Sequence, residues 1–195
     1  MPETALRILI IDDNRVRASI LEDGLREAGH TNNTVISDMH ELLRQIVDYD
    51  PDVIFIDLEN PNRDVLEQMF QVSRSVHRPI AMFVDRSDTE ATEAAIEAGV
   101  SAYVVDGLRK ERVKPILDMT ISRFKAFNRL REELDRTKQA LQERKVIDKA
   151  KGILMKNRGI SEEEAYALLR STAMNENRRL ADVAHGLVTA AKLLG

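Results

Sequence analysis

Two sets of residues in this chain could do chemistry. The first is acidic: Asp12 and Asp13 in ILIIDDN, and Asp57 in VIFIDLENP about 45 residues later. Three carboxylates gathered in one place repel one another, and a shared divalent cation relieves that cost. A hard cation beside an exposed carboxylate lets it accept a phosphoryl group, because the metal neutralises charge on both reactants. The second set is basic. Lys145, Lys149, Gly152 and Lys156 fall at i, i+4, i+7 and i+11, so on a helix they make one cationic stripe with a bare gap. Arg144 and Lys151 form an adjacent row. Arg170, Arg178 and Arg179 complete the patch if the helices that follow fold back. A glycine between lysines lets a phosphate or a base approach the helix closely.

Hydrophobic periodicity predicts the elements that position these groups. Arg7–Ile11, Val35–Ile36, Val53–Ile56, Ile80–Val84 and Ala102–Val105 read as strands. Between them, Val16–Ala28, Met39–Val47, Arg63–Val76 and Thr89–Ala98 read as helices, two of them stopped by Gly29 and Gly99. Strands alternating with helices predict a parallel sheet covered on both faces. Ligands in such sheets bind at the carboxyl ends of the strands. Asp12, Asp13, Asp57, Asp85 and Asp106 all fall at or near such ends.

From Lys110 a helical pattern runs to Lys151, with Pro115 only near its start. Phe127, Leu130, Leu134 and Leu141 fit a heptad seam, with polar Thr137 at the missing position. This predicts a dimeric coiled-coil linker. Unbroken to Asn157, the helix would span roughly 70 Å; the alternative is a pair of shorter helices. Gly159 is a natural stop. Ser161 and Glu164 make an S-x-x-E capping box for the next helix. There Ala165, Leu168, Leu169, Thr172 and Ala173 share a face. Leu180, Val183, Ala184, Leu187, Val188, Ala191 and Leu194 repeat the pattern in a last helix. Both faces need a third surface, for which Val146, Ala150, Ile153 and Leu154 are placed.

Composition narrows the function classes. The chain has 195 residues, 43% hydrophobic and 32% charged, the balance of a soluble globular protein. Cysteine is absent, which excludes disulfides, thiolate metal sites and cysteine nucleophiles. No apolar run approaches a membrane span, and the first residues lack a basic leader, so a cytoplasmic protein is expected. From Asp135 onward there are 12 basic and 8 acidic residues, against 17 and 25 before it, so only the back of the chain suits a polyanion. Tyr166 is the one aromatic residue of that back portion. A stacking platform for unstructured single strands is therefore not expected, and shape and phosphate contacts must dominate. The four histidines are scattered without a serine–histidine pattern, and no enzyme is expected.

IIDDN and FIDLENP together resemble the receiver domain of bacterial two-component response regulators, a flavodoxin-like five-stranded α/β fold. The likeness spans residues 5–123 and sets a receiver-like domain at 1–123. It implies that Asp57 is the phosphoacceptor position and that Asp12, Asp13 and Asp57 could hold magnesium, with no other cofactor. Two positions depart from the pattern. Aligned through EAG and Y-V-V, Val84 stands where the family has a hydroxyl residue and Asp106 where it has lysine. Valine cannot hydrogen-bond a phosphoryl oxygen, and aspartate puts an anion where a cation would answer the new charge. A one-residue slip would bring Ser87 nearer the hydroxyl position. An atypical receiver with a weak or absent phosphorylation switch is expected.

AKGILM, ISEEEAY, LLRSTAM and RRLADVA resemble the ANTAR domain, a three-helix RNA-binding module, over residues 135–195. A coiled-coil linker at 124–144 overlaps its first helix. Receiver, coiled coil and ANTAR in this order resemble the AmiR/NasT family of antiterminators, and its NasT-like members in particular. That resemblance implies a homodimer that binds leader-mRNA hairpins of nitrate and nitrite assimilation genes and prevents terminator formation. It also implies control by a NasS-like nitrate/nitrite-sensing protein. By position, Arg144, Lys145, Lys149, Lys151, Gly152, Lys156, Arg170, Arg178 and Arg179 would face RNA. Met155, Ala165, Leu169 and Ala173 would be core. The competing reading is a phosphorylation-controlled regulator whose helical tail mediates dimerisation, protein docking or DNA binding.

Overall fold

The central strands of a parallel sheet are covered on both faces and are therefore buried along their length. In the computed structural model, which describes residues 6–38, 40–58, 61–105 and 107–194, β1 (Ile8–Ile11), β3 (Val53–Leu58) and β4 (Ile80–Val84) are buried throughout. β2 (Asn33–Ile36) and β5 (Ala102–Val105), each partly exposed, take the edges. The sheet is parallel in the order β2-β1-β3-β4-β5. The order of winding reverses between β1 and β3, the switch point at whose strand ends ligands bind in such sheets. The expected start of the second helix, Met39, and the receiver position Asp106 lie outside the described residues.

Alternation along the strands splits the core in two. Leu9, Ile11, Ile54, Ile56 and Met82 pack against α2 (Leu42–Tyr49), α3 (Arg63–Ser75) and α4 (Thr89–Glu97), with Ile46, Met69, Phe70 and Ala95 facing them. Ile8, Ile10, Phe55 and Phe83 pack against α1 (Arg15–Glu27) and the start of α5, with Leu21, Leu25, Val113 and Leu117. Phe55 and Phe83 meet edge to face at 5.7 Å. Gly24 allows α1 to come close, since a Cβ there would lie 2.6 Å from Val113 Cγ2. The third strand runs further than its apolar run predicted. Asp57 and Leu58 pair with Phe83 and Val84, so Asp57 lies inside the sheet.

A short 3-10 turn, Lys110–Arg112, leads into α5 (Val113–Arg158), one continuous helix of 46 residues. Pro115 sits in its first turn, where no intrahelical donor is lost. The chain divides into two compact units, Met1–Asn128 and Arg129–Gly195, and α5 contributes to both. Gly159, at φ +65°, ends α5, and its N–H donates to Met155 O at 2.9 Å. α6 (Glu162–Asn175) opens with the expected capping box. Ser161 N–H donates to Glu164 Oε2 at 2.8 Å, and Glu164 N–H donates to Ser161 Oγ at 3.2 Å. Asn177, at φ +52°, turns the chain into α7 (Leu180–Leu194). Ala150, Leu154, Ala165, Leu169 and Ala184 form the core of this three-helix unit, flanked by Val146, Ile147 and Leu168. Met155, expected in that core, is 39% exposed. It follows Leu154 by one residue, about 100° around the helix, and so faces away from the seam. No helix among the described residues is long and apolar enough to cross a membrane.

Candidate nucleic-acid interface and receiver pocket

The acidic pocket forms where β1 and β3 end. Asp12 follows β1 directly and is fully buried, and Asp57 is 2% exposed, whereas the Asp13 side chain is 75% exposed. The Asn14 N–H donates to Asp12 Oδ1 at 2.7 Å, and Asn14 in turn caps α1 by accepting from Val16 N–H. Burial is the main force raising the Asp57 carboxyl to about 6, and the negative charge of Asp12 adds to it. Arg17 pulls in the opposite direction, and Asp85 and Asp13 reinforce the rise.

Arg17 is the pocket residue that sequence reasoning missed. It stands one turn into α1. Its Nη2 lies 3.0 Å from Asp12 Oδ1 and 3.1 Å from Asp13 Oδ1, and its Nε lies 3.6 Å from Asp57 Oδ2. One guanidinium therefore reaches all three carboxylates expected to share a divalent cation. In this arrangement the donor set does not fit magnesium, which needs the same oxygens at about 2.0–2.1 Å and near-octahedral. Among the described residues no group of three acidic or histidine side chains is arranged to hold a metal ion. A signal for Arg17 was present in the sequence: a cation four residues after Asp13, on the face of the helix that follows the strand.

Val84 was expected at the hydroxyl position. Val84 is the last residue of β4, fully buried, and paired with Leu58 and Val105. Ser87 does not substitute for it. Its hydroxyl lies 3.0 Å from the Tyr103 hydroxyl and 3.2 Å from Asp88 O, in an exposed turn.

In the helical unit the basic residues divide by what they touch. Lys145, Lys149, Gly152 and Lys156 are all exposed along α5, and among the described residues the three lysines form no ion pair. A Cβ on Gly152 would meet nothing within 4 Å, so packing inside the chain does not require glycine there. Arg144 and Arg170 are likewise exposed, without an ion pair among the described residues. Lys151 differs. Its side chain is 15% exposed, with Nζ 2.7 Å from Asp148 Oδ1 and 2.6 Å from Glu162 Oε1. The hydrogen bonds it donates to Asp148 and Glu162 raise its pKa. Arg179 grips both carboxylate oxygens of Asp182 and reaches Glu143 at 3.4 Å. Arg178 pairs with Glu176 at 3.0 Å. All three were placed by sequence on the RNA face; Lys151 ties α5 to α6, Arg179 ties the start of α7 to α5, and Arg178 pairs within the turn between α6 and α7.

An open hollow of about 520 Å³ lies beside Tyr166, Arg170, Met174, Asn177 and Arg178. Tyr166 and Met174 are 43% and 71% exposed. One turn separates Tyr166 from Arg170, so an aromatic face and an unpaired guanidinium share one side of α6. The expected dimer seam, Phe127, Leu130, Leu134 and Leu141, is 52–65% exposed within the single chain.

Comparisons with known proteins agree with this division. Residues 8–118 match the response regulator receiver domain, and residues 135–188 match the ANTAR domain. The transcriptional regulatory protein PdtaR of Mycobacterium tuberculosis is 26% identical over 178 residues, covering 91% of this chain and 87% of that one. The nitrate regulatory protein of Klebsiella oxytoca is 38% identical over 104 residues, covering 53% of this chain and 26% of that one. Among solved structures, a response regulator from Thermotoga maritima superposes with a TM-score of 0.52 at 15% identity, covering 61% of this chain and 99% of that one. The chemotaxis response regulator CheY4 of Vibrio cholerae gives 0.50 at 20%, covering 60% and 99%. At such identities these two structures speak for the receiver fold alone. With a receiver in front and the RNA-binding ANTAR module behind, the chain belongs to the ANTAR response regulators, an antiterminator family.

Proposed function

We propose that the protein is a transcription antiterminator that grips hairpin loops of a leader RNA through one exposed side of its helical unit. The observation that carries this reading is the stripe Lys145, Lys149, Gly152, Lys156: three cations without ion pairs, separated by a glycine that nothing inside the chain requires. A glycine inside an exposed helix costs about 1 kcal/mol relative to alanine. A bare backbone gap between phosphate-binding lysines offsets that cost if a polyanion sits there. Arg170 and Tyr166 on α6 offer one hydrogen-bonding fork and one stacking surface, enough to hold an unpaired loop base. The last helix offers little to a DNA groove, since Leu180–Leu194 contains one lysine and no arginine.

The seam along Phe127, Leu130, Leu134 and Leu141 supports a homodimer, which would present two such faces to paired hairpins. The domain limits that follow are a receiver to residue 123, a linker at 124–144 and an RNA-binding unit from 135. Likeness to the Klebsiella nitrate regulatory protein supports nitrate or nitrite assimilation genes as targets, with a nitrate- or nitrite-sensing protein docking on the chain. Val84 at the hydroxyl position supports release by such a partner over switching by a phosphoryl group.

The test is a gel shift of the full chain with a two-hairpin leader RNA and with duplex DNA of equal length, at several salt concentrations. Preference for the hairpins, weakening steeply with salt, is the expected result. Equal affinity for both, or no binding at moderate salt, overturns the reading.

A further inference from the structure

The receiver pocket carries its own counter-ion. Asp12 and Asp57 are buried at the end of the sheet, and an acidic cluster so placed is costly unless a positive charge is shared among them. That charge is present in the chain. The Arg17 guanidinium is 18% exposed and fixed between Asp12 Oδ1 and Asp13 Oδ1 at 3.0 and 3.1 Å. Its other edge faces Asp57 Oδ2 at 3.6 Å. A planar fork suits several carboxylates at once, and it cannot give up its proton to leave the pocket neutral. A dication entering here would lie within a few ångströms of a fixed positive charge and would compete for oxygens already bonded to it. Asp12 Oδ1 is further engaged by the Asn14 N–H at 2.7 Å.

We propose that Arg17 is the resident cation of the receiver pocket, taking the place of the divalent ion. The pocket is thereby held in one state, its negative charge partly offset, that neither magnesium nor a phosphoryl mimic enters. The receiver then serves as a fixed docking body, and its state is set by what binds its surface. The inference rests on the geometry around Arg17 and is independent of the RNA-binding reading.

Manganese binding to the full chain, followed by electron paramagnetic resonance as loss of the free-ion signal, tests it directly. The wild-type protein is expected to take up no ion saturably. Arg17→Ala is expected to create one saturable site, at least about tenfold tighter than any wild-type uptake, because the repulsion from the guanidinium is gone. Adding Asp13→Asn to that variant is expected to weaken the new site. Magnesium with beryllofluoride is expected to shift receiver amide resonances in Arg17→Ala and not in the wild type. Saturable manganese uptake by the wild-type protein overturns the proposal whether or not the variant folds. A folded Arg17→Ala that gains no site also overturns it, since something other than Arg17 would then exclude the ion. Arg17→Lys, which keeps the charge without the fork, is expected to remain closed to manganese, and an open site there also counts against the proposal.

Discussion

The receiver pocket and the helical basic face are both clusters of like charge, and they resolve the repulsion in opposite ways. In the pocket, Asp12 and Asp57 are buried and a guanidinium from the same chain meets them. On α5, Lys145, Lys149 and Lys156 are exposed to water and form no ion pair among the described residues. Burial makes the difference. A charge cluster removed from water must be compensated within the fold, whereas a solvated one costs little and stays available to a partner. The same rule divides the basic residues among themselves. Lys151 sits where α5 meets α6 and is answered by Asp148 and Glu162, while Lys149, two residues earlier, is not.

The largest effect that sharpens this contrast is on the core beneath the basic face. Leu169 is 3% exposed, and Leu169→Asp would bury a charge with nothing to pair it. A loss of about 3 to 5 kcal/mol is expected, with melting of the helical unit by circular dichroism while the receiver transition remains. A stable variant would mean the three-helix core is not what holds the face in shape.

Asp57 comes next. Its unfolded carboxyl releases its proton near 3.8, and the folded one holds it to about 6. The sign follows from that order. Its contribution to stability is fully present below 3.8 and is lost as pH rises through 6. Asp57→Asn is therefore expected to be more stable than the wild type above pH 6, by up to about 3 kcal/mol, with the gap closing toward pH 4. Chemical denaturation at a series of pH values measures it. A gap independent of pH would mean that Arg17 already compensates the ionised carboxylate in full.

Ser161→Ala removes the acceptor that satisfies Glu164 N–H at the start of α6. A loss of about 1 kcal/mol is expected by thermal melting. The smallest effect separates paired from unpaired cations most finely. Lys149→Ala should weaken hairpin binding and reduce the salt slope by about 1. Lys151→Ala should leave the slope unchanged and lower the melting temperature slightly. Equal slopes for the two variants would erase the distinction drawn from their ion pairs.

Local features were legible in order of how little they depended on distant partners. Ile80–Val84 and Ala102–Val105 have the bounds that their apolar runs predicted, and Ser161 with Glu164 form the reciprocal cap their spacing implied. The third strand was read short, because an aspartate after an apolar run looks like a strand end. Only pairing with Phe83 draws Asp57 inside. Met155 looked like core because it is large and apolar, yet its angle around α5 turns it to solvent. The RNA-facing set was read from charge, helical spacing and position in the ANTAR-like segment, none of which reveals which cations are already engaged.

By itself the sequence determined the succession of elements, the two-unit plan, the acidic cluster and the basic stripe. Hydrophobic periodicity, caps and glycine stops act over a few residues and are written in order along the chain. The tertiary structure decided which charges cancel. Arg17 meets Asp57 across 40 positions, and Lys151 meets Glu162 around a helix end. Such pairings depend on how the chain folds back on itself, and the energy of a buried charge is set by whatever the fold brings within a few ångströms of it.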